Sequence, residues 1–177
     1  ACLDAKCAAR IAILDPALTV SQPPRVTACT GIDAIAHAVE TAVTTKRTPV
    51  SQKLSLEAFK LCIAAFPEVL QTPNDLDARA RMQLGAAYAG SAIENSMLGA
   101  AHAAANPLTA HFGIAHGQAV GLMLPHVVRF NADAAGVQVA YAALARAAGL
   151  VSASESDARA VLALCERVES LLALARL

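Results

Sequence analysis

The sequence predicts an all-α domain made of several packed helices. Aromatic residues make up only 3% of the 177 residues, so the core must consist of Ala, Leu, Val and Ile, and the many alanines favour closely packed helices over sheets. Apolar residues recur at helical spacing between stops marked by Pro and Gly, without strand-like alternation after Pro24. With 56% hydrophobic residues, the chain is long enough for one domain with a substantial core.

The N-terminal residues have a different pattern. Residues 10–14, Arg-Ile-Ala-Ile-Leu, form a short apolar run stopped by Asp15-Pro16, which fits a strand or extended segment that ends in a turn. Pro23-Pro24 follows, and the helical pattern begins there, which separates residues 1–23 from a helical region at 24–177. The chain begins without Met and ends in an uncapped helical pattern, so we expect a fragment of a longer protein.

The first predicted helix carries a polar face. Thr30 is expected to be its N-cap and Gly31 to allow close backbone approach, which would place the Asp33 carboxylate in the first turn, where the helix dipole favours negative charge. Asp33, His37 and Glu40 then share one sector of the helix. An Asp and a His at i, i+4 are typical of metal ligands, but an Asp near a helix start beside a core histidine explains the same pair.

Two further helices are expected in the middle of the chain. Residues 51–66 have apolar residues at helical spacing until Pro67 interrupts them. Pro73-Asn74-Asp75 opens the next helix, and its later part, residues 85–92, is almost all small. Small residues allow two helices to pack closely, as helices gathered around one ion must, although dense packing without an ion explains the run equally well.

The next segment contains the other four of the five histidines. Residues 95–106 are expected to form a helix that ends at Pro107 and carries His102 among alanines. Pro107 and Gly113 divide the 14 residues from His102 to His116, so His116 is expected to begin another helix. Each histidine alone has an equally good explanation as an ordinary buried or surface imidazole.

Two more helices complete the chain. Residues 134–149 read as an Ala-rich helix that stops at Gly149, and Ser154-x-x-Asp157 resembles a capping box for the last one. His111, expected in a loop, and His126, expected to be structural or pocket-lining, are assigned no bond to an ion.

Composition excludes several classes of function. The net charge is zero and no basic run occurs, so nucleic acid and acidic membrane surfaces are not expected partners. The five cysteines are an odd number without CxxC spacing, which argues against a disulfide framework or zinc ribbon and favours a reducing cytoplasm. No apolar run approaches the roughly 20 residues that a membrane span requires, so neither an anchor nor a signal peptide is expected.

Several short motifs together resemble one family. They are Gly31-Ile-Asp-Ala-Ile-Ala-His37, Leu98-Gly99-Ala-Ala-His102, His116-Gly117, Leu124-Pro125-His126 and Phe130-Asn131. In order and spacing they resemble the iron-containing (group III) alcohol dehydrogenases over most of the chain. The resemblance implies the helical, dehydroquinate synthase-like C-terminal domain of that family. It also implies a metal held by one Asp and three His, which correspond here to Asp33, His37, His102 and His116.

The resemblance also implies an activity and its cofactors. A centre with nitrogen and oxygen ligands suits Fe²⁺ and Zn²⁺ alike, with iron implied by the family, and would act as a Lewis acid on an alcohol or aldehyde during hydride transfer. The chain has no GxGxxG motif, so NAD or NADP is expected to bind a nucleotide-binding domain of which residues 1–23 are a remnant and linker. Many members carry a pocket histidine at the position of Asn106, which is therefore expected to line the substrate pocket without proton-relay ability. A homo-oligomer is expected.

Two alternatives stay open. One is a helical metal-binding module without catalysis, which is consistent with the missing nucleotide domain and with Asn106. The other is a relative of the glycerol dehydrogenase or dehydroquinate synthase type, which shares the architecture. Four candidate ligands and the 14-residue interval between His102 and His116 fit the iron-containing family better.

Overall fold

The computed structural model describes residues 9–177, and these residues are helical without a strand. A short 3₁₀ helix at Pro16–Thr19 comes first. Seven α-helices follow within the described residues: α1 at Pro24–Thr41, α2 at Pro49–Gln71, α3 at Leu76–Glu94, α4 at Ala100–Phe112, α5 at His116–Asn131, α6 at Ala135–Ala147 and α7 at Asp157–Ala175. The all-α prediction is confirmed.

The apolar run at residues 10–14 lies outside any helix or strand and is exposed. Ile11 and Ile13 are 83% and 84% accessible to solvent, and the run pairs with no strand in the part of the chain that is described. It ends where the Asp15 side chain accepts a hydrogen bond of 2.9 Å from the backbone N–H of Ala17 and so caps the 3₁₀ helix. The predicted stop at Asp15-Pro16 is therefore present, whereas the extended conformation of residues 10–14 stays a prediction.

Helix α1 begins earlier than its sequence predicts. Its first residue is Pro24, whose fixed φ suits the first helical position. Thr30 is not an N-cap, because it lies inside the helix and its hydroxyl donates to the carbonyl oxygen of Val26 at 2.9 Å. Asp33 consequently lies in the middle of α1. The predicted stabilisation of its carboxylate by the start of a helix is wrong.

Two prolines predicted to end helices lie inside them. Helix α2 continues through Pro67 to Gln71, and α4 continues through Pro107 to Phe112. A proline removes one backbone hydrogen bond, but the residues around Pro67 are anchored, because Phe66 and Val69 are buried in the core. Around Pro67, tertiary packing outweighs the local preference to stop.

The start and end of α4 also differ from the prediction. Asn95 ends α3, and α4 begins only at Ala100. The helix then ends at Gly113, whose φ of 67° is in the left-handed region that favours glycine. His111 therefore lies in the last turn of α4 and not in a loop.

The last three helices follow the prediction more closely. His116 is the first residue of α5, as expected. Helix α6 is followed by Gly149 with a φ of 69°, which confirms the predicted glycine stop. The N-cap of α7 is Ser156, whose hydroxyl accepts from the backbone N–H of Arg159 at 3.2 Å, so the capping box assigned to Ser154 is wrong.

Helix α1 is the central element. It packs against α2, α3 and α5 and also touches α4 and α7, and its Ile32, Ile35 and Val39 are fully buried. Gly31 permits one of these contacts, because a Cβ there would lie 2.3 Å from Cε2 of the Phe66 ring. Since α4 packs against α5, the three helices that carry the candidate ligands meet on one side of α1.

None of the helices in residues 9–177 has the combination of length and apolar character that crossing a bilayer requires.

Candidate metal centre

Helix α1 provides the first two candidate ligands. Asp33 and His37 are one turn apart, with 3.6 Å between Oδ2 of Asp33 and Nε2 of His37. Both side chains are only about one fifth exposed, at 21% and 22%. The i, i+4 relation that the sequence predicts therefore places a carboxylate and an imidazole side by side at a partly buried point of the surface.

Helix α4 brings His102 to the same point. Its Nε2 lies 3.3 Å from Oδ1 of Asp33, and its ring stacks on that of His37 with centroids 4.7 Å apart and planes at 20°. Asp33, His37 and His102 each offer a ligand atom, and the three atoms lie within 4.8 Å of one another. His102 is buried, with 6% of its surface exposed.

Helix α5 contributes His116 at its first residue. Its Nε2 is 3.8 Å from Oδ1 of Asp33, and its ring centroid is 5.4 Å from that of His102, with the planes tilted by 55°. The His116 side chain is 43% exposed, far more than that of His102. The four predicted ligands thus come together from three helices, and His116 is on their solvent side.

Within residues 9–177, two buried atoms of this cluster have no hydrogen-bond partner beyond their 3.3 Å approach to each other: Oδ1 of Asp33 and Nε2 of His102. Unpaired polar atoms are rare in protein interiors because they lose their hydration without compensation. Two ligands of a tetrahedral ion with bonds of 2.0–2.2 Å lie about 3.4 Å apart, close to the 3.3 Å between these atoms. The residues therefore fit a divalent ion, which would satisfy both atoms.

Burial and neighbouring charges shift the pKa values of the side chains in this cluster. Burial tends to raise the pKa of Asp33, but its approach to His102 and the charges of the neighbouring histidines outweigh burial, so the pKa is lowered and the group is a carboxylate. Burial lowers the pKa of His37, which favours the neutral imidazole that binds metals. Burial acts in the same direction on His102, but Asp33 and Glu40 raise its pKa to about 9.

Glu40 supports the cluster from behind. It is almost fully buried, and its Oε2 accepts a hydrogen bond from Nδ1 of His102 at 2.6 Å. Its two oxygens also accept from the backbone N–H groups of Ala101 at 2.6 Å and Gly99 at 3.2 Å. Helical periodicity places Glu40 on the same face as His37, but its imidazole partner is His102 on another helix. Glu40 also caps the start of that helix through Gly99 and Ala101.

Residues 27–177 match the family model described as the Fe-containing alcohol dehydrogenase family, C-terminal. The chain belongs to this family. The family resemblance stated from the sequence motifs is thereby confirmed, and the chain is a C-terminal domain of the iron-containing alcohol dehydrogenases.

Individual relatives give the same result. The chain is 37% identical over 161 residues to 1-propanol dehydrogenase PduQ of Salmonella typhimurium, a match covering 91% of this chain and 44% of the relative. It is 43% identical over 122 residues to long-chain-alcohol dehydrogenase 1 of Geobacillus thermodenitrificans, covering 69% and 31%. The crystal structure of sulfoacetaldehyde reductase from Bifidobacterium kashiwanohense in complex with NAD+ superimposes with a TM-score of 0.81 at 30% identity, covering 91% of this chain and 40% of that one. The chain spans less than half the length of these relatives.

A groove on this iron-containing alcohol dehydrogenase domain leads to the cluster. It has a volume of about 410 Å³ and runs between the N-terminal parts of α1 and α5. Val26 and Cys29 contribute apolar walls, whereas Asp33 and His116 provide a polar end. At its rim, Arg25 donates a hydrogen bond of 2.8 Å to the side-chain oxygen of Gln118. A small molecule with one polar end has direct access to His116 by this route.

The remaining predicted residues lie around this centre. Asn106 is exposed on α4, one turn after His102, and its place in a substrate pocket stays a prediction. His111 and His126 are both exposed, so His126 is not a buried structural residue, and the alternative that it lines the pocket stays a prediction. Gly117 occurs in the sequence motif, but its role was not predicted: it lets α5 approach α1 closely. A glycine directly after a candidate ligand could have indicated this close contact.

Proposed function

We propose that this chain is the metal-binding domain of an NAD(P)-dependent alcohol dehydrogenase that interconverts alcohols with aldehydes or ketones. In this proposal Asp33, His37, His102 and His116 hold one divalent ion jointly. The observation that carries it is the facing pair of buried atoms, Oδ1 of Asp33 and Nε2 of His102, which have no other partner among the described residues. His37 and His116 lie beside this pair.

The donor set supports Fe²⁺ and also admits Zn²⁺. One carboxylate and three imidazoles are ligands that both ions accept, and iron is preferred here because the family is named for it. When bound, such an ion supplies a Lewis acid that stabilises negative charge on a substrate oxygen. Asp33 contributes the only negative charge among the four ligands, so the loaded site keeps a positive charge that attracts this oxygen.

The groove between α1 and α5 is the proposed route of the substrate. His116 forms its polar end and is the most exposed of the four ligands. A small alcohol or aldehyde that enters here meets the cluster on its solvent side, while His102 and Glu40 close the buried side. Asn106, one turn after His102 on α4, is proposed to line the substrate side as a neutral amide that does not ligate the ion.

The nicotinamide cofactor is proposed to bind outside this chain. The sulfoacetaldehyde reductase that superimposes on the chain was solved with NAD+, and the chain spans only part of that protein, which supports a nucleotide-binding domain before residue 24. NAD and NADP both satisfy this proposal. Cytoplasmic location and a homo-oligomer are further parts of it; the three described cysteines, which are free and buried, support a reducing compartment.

The test joins the chain to the N-terminal part of its Salmonella typhimurium relative, which supplies the missing length. The fusion, loaded with Fe²⁺ or Zn²⁺, should reduce NAD+ or NADP+ when 1-propanol is added. His116→Ala should abolish the activity, and the exposed His126→Ala serves as the matched control that retains it. A folded, metal-loaded fusion that reduces neither cofactor with any of a series of alcohols would instead support the non-catalytic metal-binding module.

A further inference from the structure

The side chain of Glu40 is enclosed at the boundary between α1 and α4. Only 2% of the residue is exposed, and all three of its hydrogen bonds go to residues at the start of α4. The fit is close, because a Cβ on Gly99 would lie 2.9 Å from Oε1 of Glu40. One carboxylate therefore links the helix that carries Asp33 and His37 to the helix that carries His102.

The hydrogen bond from His102 to Glu40 determines which ring nitrogen is left to bind an ion. A carboxylate only accepts hydrogen bonds, so Nδ1 of His102 must carry a proton at its 2.6 Å contact with Oε2 of Glu40. The other nitrogen, Nε2, is the atom that faces Oδ1 of Asp33 at 3.3 Å. A histidine whose Nδ1–H is held by a carboxylate presents its Nε2 lone pair to a metal in a defined direction.

We propose that Glu40 is the positioning residue of the metal centre: it holds His102 as the Nδ1–H tautomer with Nε2 directed at the ion, and it fixes the start of α4 in the same contact. This inference rests on the proposed metal site. Glu40 itself binds neither the ion nor the substrate. Its function is to keep two helices in the relation that the ligands require.

The backbone before α4 gives a reason for the second part of this role. Met97 has a φ of 90°, which is an unfavourable backbone conformation for a residue with a side chain. Gly99 is the N-cap of α4 and has no side chain to cap the helix. The bonds from Glu40 to the N–H groups of Gly99 and Ala101 provide the missing cap and stabilise the strained approach.

The geometry also predicts that a glutamine in place of Glu40 cannot accept all three hydrogen bonds. Oε1 of Glu40 accepts from Ala101, whereas Oε2 accepts from His102 and Gly99. An amide has one oxygen and one NH₂ group, so in either orientation a donor faces a donor. If the amide oxygen keeps the bond to Ala101, the NH₂ group faces His102 and forces its proton from Nδ1 to Nε2, the atom needed by the ion.

The first experiment uses the unaltered chain with Zn²⁺ as the probe. In ¹⁵N-labelled protein saturated with Zn²⁺, long-range ¹H–¹⁵N spectra should show His102 protonated at Nδ1 and metal-bound at Nε2. Zn²⁺ binding with Nδ1 of His102 deprotonated or metal-bound would overturn the role of Glu40 and leave the metal site standing. If the chain binds no Zn²⁺ at all, the proposed metal site fails, and this inference fails with it.

The second experiment compares Glu40→Gln with Glu57→Gln, a matched control on the exposed face of α2, where Glu57 pairs with Lys60 at 3.1 Å. Glu40→Gln should lower Zn²⁺ affinity by about 10- to 100-fold, the usual effect of losing such a partner, and Glu57→Gln should leave it unchanged. In a His102→Ala background, Glu40→Gln should change the remaining affinity little. An equal loss with and without His102 would show that Glu40 acts only on the fold and would overturn the inference.

Discussion

Gly117 lies directly against the backbone carbonyl of Cys29, where α5 crosses α1. A Cβ at position 117 would be 2.1 Å from the Cys29 oxygen and 2.6 Å from its carbonyl carbon, so no side chain fits without moving a helix. Because His116 is the neighbouring residue, this contact determines how near its ring comes to Asp33. A glycine thus controls the distance between two candidate ligands on different helices.

Gly117→Ala should therefore destabilise the domain and weaken metal binding together. The expected loss is about 1–3 kcal/mol in the free energy of unfolding, typical of overpacking a close contact, with reduced Zn²⁺ affinity because His116 moves away from Asp33. Chemical denaturation and Zn²⁺ titration measure the two effects. Gly90→Ala is the control: Gly90 lies in α3 with nothing within 4 Å of an added Cβ, and the change should stabilise the helix by about 0.5–1 kcal/mol.

Single alanine substitutions should separate the ligands from the other histidines. Asp33→Ala, His37→Ala, His102→Ala and His116→Ala should each lower metal affinity by more than the 10- to 100-fold typical of an outer partner, since each removes a bond to the ion. His111→Ala is the control, because His111 is exposed in the last turn of α4. Elemental analysis after mild chelator dialysis measures the bound metal. Full retention in both His102→Ala and His116→Ala would contradict the assignment.

Asn106→His should alter catalysis in the active fusion without altering metal content. The residue lies one turn beyond His102 on α4. In the proposed site a histidine there would face the substrate and offer a group that can transfer protons near neutral pH. We expect a change in the pH profile of kcat or in the preference among alcohols. Steady-state kinetics across pH with a short series of primary alcohols makes the comparison. Identical profiles would place Asn106 outside the pocket.

The 177-residue chain alone should not bind a nicotinamide dinucleotide tightly. Its sequence has no glycine-rich loop between a strand and a helix, the usual cradle for the pyrophosphate. Calorimetry with NAD+ and NADP+ should give no heat signal at micromolar concentrations, in contrast to the fusion as a positive control. Micromolar affinity for residues 1–177 would require a nucleotide site within this domain.

The sequence by itself determined the helical class and the pairing of Asp33 with His37, and its resemblance to the family named His102 and His116 as the other candidate ligands. Composition excluded an aromatic-rich core, and the i, i+4 spacing of Asp33 and His37 placed both on one face of a helix wherever that helix began. For this reason the predicted pairing of Asp33 with His37 did not depend on the incorrect assignment of Thr30 as the N-cap. Properties set by helical periodicity depend only on residues a turn apart, so they can be read without knowing the tertiary packing.

The tertiary structure decided the helix boundaries and the contacts between helices. Pro67 and Pro107 were expected to end helices, but packing of the residues around Pro67 outweighs one lost hydrogen bond. Glu40 was placed near His37 by periodicity, yet its partner is His102, 62 residues away. Such long-range contacts depend on steric complementarity between helix surfaces, as at the close contact of Gly117 with Cys29. No local pattern in the sequence encodes that packing.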